Sequence, residues 1–270
     1  MQYPVDFGAF FFQLENICQQ KHCTLAEACA KLRQAHFGYV EIDFDQVNDT
    51  NLAVLRKADL QVSSIFCFLN FRQDVETRLE KLLAIARRIR PRFVMPIPEE
   101  DTELALRPLI LQQLRCLQQA LATERIQMVM EDYDGPGKTF ASTVGLQRYL
   151  AEIPGLKCCF DTGNFFYLGE DILPAWRSLA DQVVHLHFKD RRRDERDGWL
   201  STEMADGSKV SNAAIGNGFL PLQEFFQTVL QHGYRGIVVI EHACCHDQLD
   251  TLKSSIATME KWCKTFCGEK

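Results

Sequence analysis

Two histidines at alternate positions are the clearest chemical signal in this sequence. His185 and His187 lie in the apolar run 183–190, which ends in a lysine and an aspartate. Side chains of a β-strand alternate between its faces, so both imidazoles and Lys189 would point the same way. Polar groups on a buried strand face are unfavourable unless something binds them, and imidazoles are common metal ligands. The run therefore predicts a metal or substrate site, provided that other ligands approach His187.

Carboxylates at the ends of other apolar runs supply such ligands. Glu131 ends the run 126–131, Asp161 ends 156–161, and Glu241 ends 236–241. Three carboxylates and one imidazole suit a single divalent metal ion, namely Mn²⁺, Mg²⁺, Co²⁺ or Zn²⁺, with open positions for substrate oxygens. One carboxylate at a strand end is often only solvated or caps a helix. Four ligands on four consecutive strands favour a shared metal site.

The elements that would position these ligands alternate along the whole chain. Strands are predicted at 7–12, 39–43, 62–68, 93–97, 126–132, 156–162, 183–190 and 236–242. Helices are predicted at 24–36, 49–59, 74–90, from 108, and at 142–152, 171–179, 221–232 and 247–266. Eight βα units predict an α/β fold, a (β/α)₈ TIM barrel that forms a single domain over residues 1–270. The alternative, a doubly wound open sheet, usually has a Gly-x-Gly-x-x-Gly turn, which is absent.

The composition limits the binding partners and the cellular compartment that are expected for this protein. The formal net charge is −6 and no basic block is longer than 191–193, so nucleic acid and anionic membranes are poor partners. No apolar run approaches the roughly 20 residues of a membrane span, and the first residues lack a signal-peptide pattern. The eleven cysteines are scattered without a Cys-x-x-Cys pair. They are expected to be reduced thiols, which predicts a cytoplasmic protein.

Several short motifs, in their order and spacing, resemble the xylose isomerase-like TIM barrel superfamily. This sugar phosphate isomerase/epimerase group includes ketose 3-epimerases, hydroxypyruvate isomerases and inosose dehydratases. The matching pieces are Gly38-Tyr39-Val40-Glu41-Ile42, Met130-Glu131, Phe160-Asp161-Thr162-Gly163-Asn164, His187-Phe188-Lys189-Asp190, Gly216-Asn217-Gly218-Phe219 and Gly233-Tyr234-Arg235-Gly236 before Ile240-Glu241. The resemblance covers essentially the whole chain, and it implies a small carbohydrate or polyol substrate and a homo-oligomer, either a dimer or a tetramer.

The resemblance also implies the roles of the four strand-end ligands. Glu131, Asp161, His187 and Glu241 would bind one divalent ion, and the two glutamates would be the catalytic acid and base. One glutamate would remove the α-proton of a keto sugar, giving a cis-enediolate, and the other would return a proton. Return of that proton gives epimerisation or isomerisation. Loss of a β-hydroxyl would instead give dehydration, so a dehydratase of the inosose or dehydroshikimate type is the alternative.

Further residues are expected to bind substrate or to support the ligands. Ketose 3-epimerases carry a histidine where this chain has Asn164, and they carry a substrate-binding arginine at the spacing of Arg193, although Arg191 and Arg192 leave the register open. The substrate-binding candidates are Asn164, Lys189, Arg193, His185, Glu41 and Trp199. Of these, His185 lies one layer deeper than His187 and is expected to be a hydrogen-bonded support, while Glu41 either lines the pocket or stabilises the rim. The segment 191–217 is long and polar, which is typical of a lid over a site or of a solvated surface loop.

Two other functions fit the same fold. An endonuclease of this superfamily needs a three-metal cluster with several more histidines, but the second, third and fourth predicted strands end without histidine. A non-catalytic barrel that binds a ligand is the remaining alternative, and it predicts no stoichiometric divalent ion.

Overall fold

Eight parallel strands pair side by side and close into a barrel. The computed structural model describes residues 3–99, 102–135, 137–193, 201–243 and 245–267. The barrel strands are β1 (Asp6–Phe10), β2 (Tyr39–Asp43), β3 (Gln61–Leu69), β4 (Phe93–Pro98), β5 (Gln127–Glu131), β6 (Lys157–Asp161), β7 (Val183–Phe188) and β11 (Ile237–Ile240). Their order around the barrel is β1-β11-β7-β6-β5-β4-β3-β2. The predicted (β/α)₈ barrel is therefore confirmed.

The helices surround the barrel and cover its outer face. They are α1 (Phe11–Lys21), α2 (Leu25–Gln34), α3 (Asp49–Lys57), α4 (Val75–Ile89), α5 (Arg107–Thr123), α6 (Thr143–Glu152), α7 (Ile172–Leu179), α8 (Leu222–Gln231) and α9 (Gln248–Cys267). Local signals set several starts: Thr24 and Glu27 form the predicted capping box of α2, and Pro108 lies in the first turn of α5. Asp49, at the predicted start of helix α3, was expected to cap it, but the cap is Asn48. Among the described residues, no helix is long and apolar enough to cross a membrane.

Strand alternation divides the apolar residues between two cores. The larger core packs outward-facing strand residues, such as Phe160 and Ile240, against the helices. Inside the barrel, Phe93, Met95 and Val129 belong to smaller clusters that fill the space below the carboxyl ends of the strands. Polar side chains of the same inward-facing sets lie above this apolar floor, where the catalytic ends of such barrels are found.

The first predicted strand is too long. It ends at Phe10, and helix α1 begins at Phe11, where an aromatic strand to residue 12 had been expected. The apolar residues Phe11, Leu14 and Ile17 are all buried at helical spacing, so the aromatic run covers both the end of a strand and the start of a helix. The Gln13 side chain accepts a hydrogen bond from the backbone N–H of Phe10 at 2.9 Å, which closes this helix start.

The described parts of the segment 191–217 include β-strands. They contribute to an antiparallel sheet of β8 (Asp190–Arg192), β9 (Ser201–Glu203) and β10 (Lys209–Ala213), in the order β8-β10-β9. Four residues of β10, from Val210 to Ala213, are buried. A solvated surface loop, one of the two alternatives for this segment, is therefore wrong for β10, whose four consecutive buried residues carry no strong apolar pattern.

Candidate active site

Four side chains from neighbouring strands meet at the carboxyl end of the barrel. Glu131 and Asp161 are the last residues of β5 and β6, His187 lies near the end of β7, and Glu241 directly follows β11. One ligand atom from each lies within 4.8 Å of the others. The parallel register explains this meeting, since Asp161 pairs with His187 across β6 and β7. We call these four residues the metal cluster.

His187 stands at the centre of the metal cluster. Its Nδ1 lies 2.5 Å from Oε1 of Glu131 and 4.0 Å from Oε2 of Glu241. The imidazole is fully buried, whereas Glu241 keeps 16% of its side chain exposed. The cluster is therefore closed below by the histidine and open toward the mouth of the barrel beside Glu241.

Asp161 presents one oxygen that has no hydrogen-bond partner. Its Oδ1 accepts hydrogen bonds from the backbone N–H groups of Gly163, at 2.7 Å, and Asn164, at 2.9 Å. Its Oδ2 is buried and has no hydrogen-bond partner among the described residues. A buried carboxylate oxygen without a donor is unfavourable unless a cation binds it. The residues present therefore fit a divalent ion.

The pKa shifts of the carboxylates in the metal cluster also favour a bound cation. Burial raises the pKa of Glu131, and the neighbouring charge of Glu241 raises it further. Burial likewise raises the pKa of Asp161 well above its ordinary value, although the charge of Lys189 opposes the shift. The direction of both shifts means that the buried negative charges lack full compensation, which a divalent cation would supply.

Lys189 supplies a positive charge at the open side of the cluster. Its Nζ donates to Oε1 of Glu241 at 2.7 Å and to Oδ1 of Asn164 at 2.8 Å, and lies 3.7 Å from Oδ2 of Asp161. Burial alone would lower the pKa of Lys189, but the charges of Asp134, Asp161 and Glu241 raise it above its ordinary value. The lysine is therefore a charged group beside the proposed acid and base.

Glu41 and His185 lie beneath the cluster rather than in its mouth. Both side chains have no exposed surface, and Oε2 of Glu41 lies 2.8 Å from Nε2 of His185 and 3.1 Å from Nε2 of His187. Burial would raise the pKa of Glu41, but the two histidines lower it to about 2. Their placement does not fit the expected substrate contact, because neither side chain has exposed surface. It agrees with support of His187, the role expected for His185.

The arginine that reaches this region is Arg191. Its side chain is buried and donates to the carbonyl oxygen of Gly163 at 3.3 Å, to Oδ1 of Asn212 at 3.1 Å, and to Asp134. Arg193, the arginine singled out by family spacing, is exposed and stacks over two surface aromatic rings. Arg193 shares the strand parity of residues 185, 187, 189 and 191, so alternation alone could not have distinguished it from Arg191, which is identified by its buried contacts. The predicted Trp199 lies outside the described residues.

Aromatic rings form one side of the site. The ring of Phe10 lies 5.0 Å from that of His187 and 5.9 Å from that of Phe66, and Phe68 links Phe66 to Tyr133 at 6.1 and 5.9 Å. We call Phe10, Phe66, Phe68 and Tyr133 the aromatic wall. Apolar faces of this kind complement the C–H faces of sugars. The geometry therefore combines an apolar side with a polar side that carries the metal cluster.

Comparison with known proteins gives the family. A family model described as the xylose isomerase-like TIM barrel matches residues 29–262. Inosose dehydratases are among the curated relatives: that of Lacticaseibacillus casei is 24% identical over 119 residues, which are 43% of this chain and 40% of that protein. Inosose dehydratase 2 from Bacillus cereus is 28% identical over 125 residues, 45% of this chain and 42% of that protein. The matched part thus spans about two fifths of the length of these relatives.

Solved structures share the whole barrel. A xylose isomerase-like TIM barrel protein from Mycobacterium smegmatis, in complex with magnesium, has a TM-score of 0.72 at 16% identity and covers 98% of both chains. The IOLI protein with a zinc atom has a TM-score of 0.74 at 12% identity, covering 98% of this chain and 100% of that one. D-allulose 3-epimerase from Methylomonas sp., in complex with D-allulose, has a TM-score of 0.72 at 13% identity, covering 96% and 98%.

This chain belongs to the xylose isomerase-like TIM barrel family. The low identities to the solved structures show a shared fold, while the family membership supports an enzyme. The metal cluster lies where that fold places its chemistry, at the carboxyl ends of the barrel strands.

Proposed function

We propose that this protein is a divalent-metal-dependent isomerase or epimerase of a keto sugar or a related polyhydroxy carbonyl compound. The observation that carries the proposal is the meeting of Glu131 and Glu241 around one imidazole, beside the buried Oδ2 of Asp161, which accepts no hydrogen bond from the described residues. Two carboxylates on one metal site are what proton removal and proton return require. Mn²⁺, Mg²⁺, Co²⁺ or Zn²⁺ would be held by Glu131, Asp161, His187 and Glu241.

The protein's own groups divide the reaction between them. A bound divalent ion supplies Lewis-acid polarisation of a substrate carbonyl and hydroxyl. One glutamate takes the α-proton, leaving a cis-enediolate, and the other glutamate donates a proton to the same or the neighbouring carbon. Lys189 and Asn164 are hydrogen-bonded to each other at the open side and are the proposed contacts of substrate oxygens. The aromatic wall would exclude water from the apolar face of the substrate.

A dehydratase is the second candidate, and the curated relatives favour it. Inosose dehydratases from Lacticaseibacillus casei and Bacillus cereus match this chain over parts of 85 to 125 residues. Dehydration would use the same first step, proton removal by a glutamate. It differs in the second step, in which the protonated β-hydroxyl leaves as water.

Solvent-deuterium exchange tests the proposal and separates the two candidates. The protein, stripped with EDTA and reloaded with Mn²⁺ or Mg²⁺, is incubated in D₂O with ketoses, keto-acids and inososes. Deuterium at a carbon next to the carbonyl without loss of water supports an isomerase or epimerase, whereas release of water with a new ultraviolet chromophore supports a dehydratase. Absence of exchange with every compound would contradict proton-transfer catalysis.

Glutamine substitutions test the acid–base pair. Glu131→Gln and Glu241→Gln keep a ligand oxygen but cannot take a proton, so we expect kcat to fall by about 10²- to 10⁴-fold at saturating metal. Glu152→Gln is the matched control, because Glu152 pairs with Arg107 on the outer helices, away from the metal cluster. Metal content is measured in each variant. Retention of exchange in a metal-loaded Glu131→Gln protein would remove Glu131 from the pair.

A further inference from the structure

His187 of the metal cluster forms a buried group with one carboxylate and a second imidazole, which lie beneath the cluster. Glu41 from β2, and His185 and His187 from β7, have no exposed side-chain surface. A single oxygen, Oε2 of Glu41, lies 2.8 Å from Nε2 of His185 and 3.1 Å from Nε2 of His187. An ionised carboxylate only accepts hydrogen bonds, so both Nε2 atoms must carry the hydrogen.

This contact crosses the barrel. Strand β2 is separated from β7 by β1 and β11 in the barrel order, so Glu41 reaches His187 through the interior rather than along neighbouring strands. The other inward-facing groups here are mostly apolar, among them Phe10 and Val239. A buried carboxylate is unfavourable in such apolar surroundings, and its hydrogen bonds with the two imidazoles offset this cost.

The two nitrogens of His187 face different partners. Nε2 faces Glu41, whereas Nδ1 faces the metal cluster, 2.5 Å from Glu131 and 4.0 Å from Glu241. Ring contacts restrict the plane of the imidazole, because Phe10 and His185 both meet it edge-on with centroids 5.0 Å away. The ring plane alone does not decide which nitrogen carries the hydrogen. Each nitrogen faces a carboxylate, so the two become distinct when a cation in the cluster takes the place of a hydrogen on Nδ1 and the Nε2–H group stays hydrogen-bonded to Glu41.

We propose that Glu41 is a positioning residue that holds His187 as the Nε2–H tautomer and thereby leaves the Nδ1 lone pair for the metal ion. His185 donates to the same oxygen and keeps the carboxylate in place. The inference rests on the proposed metal site, and it assigns to Glu41 a role in metal affinity rather than in substrate binding. Carboxylates that orient a metal-bound histidine in this way typically change metal affinity 10- to 100-fold.

Metal titration of Glu41→Gln tests the role. The glutamine side chain has the same length but lacks the charge, so its amide oxygen is a weaker acceptor for the two Nε2–H groups. We expect isothermal titration of EDTA-stripped protein with Mn²⁺ to show a 10- to 100-fold weaker Kd than wild type, with an unchanged circular dichroism spectrum. Glu170→Gln is the matched control, since Glu170 is a partly buried carboxylate that accepts from Thr143 away from the site. It is expected to bind Mn²⁺ like wild type.

The tautomer is measured directly in the wild-type protein. In ¹⁵N-histidine-labelled protein loaded with Zn²⁺, long-range ¹H–¹⁵N spectra are expected to show His187 protonated at Nε2 and metal-bound at Nδ1. This result does not depend on whether Glu41→Gln folds. A His187 protonated at Nδ1 overturns the proposal, as does a folded Glu41→Gln protein with wild-type Mn²⁺ affinity. Wild-type protein that binds neither Mn²⁺ nor Zn²⁺ would instead remove the proposed function, and this inference with it.

Discussion

At the scale of single residues, burial and neighbouring charge compete at each carboxylate. Burial dominates at Asp161 and Glu131, whose pKa values are raised. At Glu41 the two imidazoles outweigh burial, and its pKa falls to about 2. Glu41 therefore favours its ionised form beneath His187, whereas Asp161 and Glu131 at the rim are carboxylates whose charge a cation would balance. Lys189 supplies one positive charge, and a divalent ion would supply more.

Removal of Lys189 should make folding depend more strongly on metal. Lys189→Met leaves Glu241 and Asp161 without their ammonium partner, and we expect metal-free protein to lose on the order of 3 kcal/mol of unfolding free energy. Saturating Mn²⁺ should recover part of this loss, because ligand binding to the folded state stabilises it. Urea unfolding with EDTA and with Mn²⁺ measures both values. Lys157→Met, which removes an exposed hydrogen bond to Gln182, serves as the control. An equal loss with and without Mn²⁺ would contradict the expectation.

At the scale of elements, one aspartate joins the barrel to the small sheet. Asp190, the first residue of β8, accepts hydrogen bonds from the backbone N–H groups of Gly216, at 2.9 Å, and Gly218, at 2.8 Å. The approach is so close that a Cβ on Gly218 would lie 2.0 Å from Oδ1 of Asp190. Glycine is therefore required at 218 for steric reasons, and the turn after β10 is tied to the residue that follows Lys189.

Loss of this tie should loosen the segment between β8 and α8. Asp190→Ala leaves these partly buried backbone donors without their acceptor, which costs up to about 1–3 kcal/mol for each group and less where water reaches it. We expect faster proteolytic cleavage between residues 191 and 220, while the barrel helices keep their circular dichroism. Limited trypsin digestion followed by mass spectrometry locates the cuts. Asp206→Ala is the control, because Asp206 is an exposed turn residue of the same segment that accepts from Ser208. Equal cleavage rates in the two variants would count against Asp190 as the tie.

At the scale of the whole molecule, a buried histidine on the outer side of the barrel makes the unfolding free energy depend on pH. His242 follows β11 and is fully buried, and its Nε2 lies 3.0 Å from Oγ of Ser255 in α9. Burial lowers its pKa to about 3. The unfolded chain takes up a proton near the ordinary histidine pKa of about 6.5, whereas the folded protein does not. This contribution to stability is present above pH 6.5 and is lost as the pH falls toward 3.

The unfolding free energy should fall less steeply with decreasing pH when residue 242 cannot titrate. One proton taken up only by the unfolded state lowers the unfolding free energy by about 1.4 kcal/mol per pH unit. We expect the fall between pH 6.5 and pH 5 to be about 2 kcal/mol smaller in His242→Gln than in wild type. Urea unfolding in the presence of EDTA at the two pH values measures it. Identical slopes in both proteins would show that another group controls the acid dependence.

Much of the fold could be predicted because the sequence patterns that define strands and helices are local. The strand from Tyr39 to Asp43 and the helix from Thr143 to Glu152 lie at or within one residue of their predicted bounds, since strand runs and capping residues act over a few positions. Helix α1 was missed because its aromatic start continues the pattern of β1 without a break. The small sheet was missed because its strands have no strong apolar alternation.

The sequence by itself determined the order of strands and helices and the four side chains that meet as the metal cluster. It could do so because strand ends of a closed parallel barrel share one rim, whatever the details of packing. Only the tertiary structure decided that Glu41 lies beneath His187, and that Arg191 rather than Arg193 turns inward. Those choices depend on contacts between residues far apart in the chain, which barrel closure and side-chain burial set together.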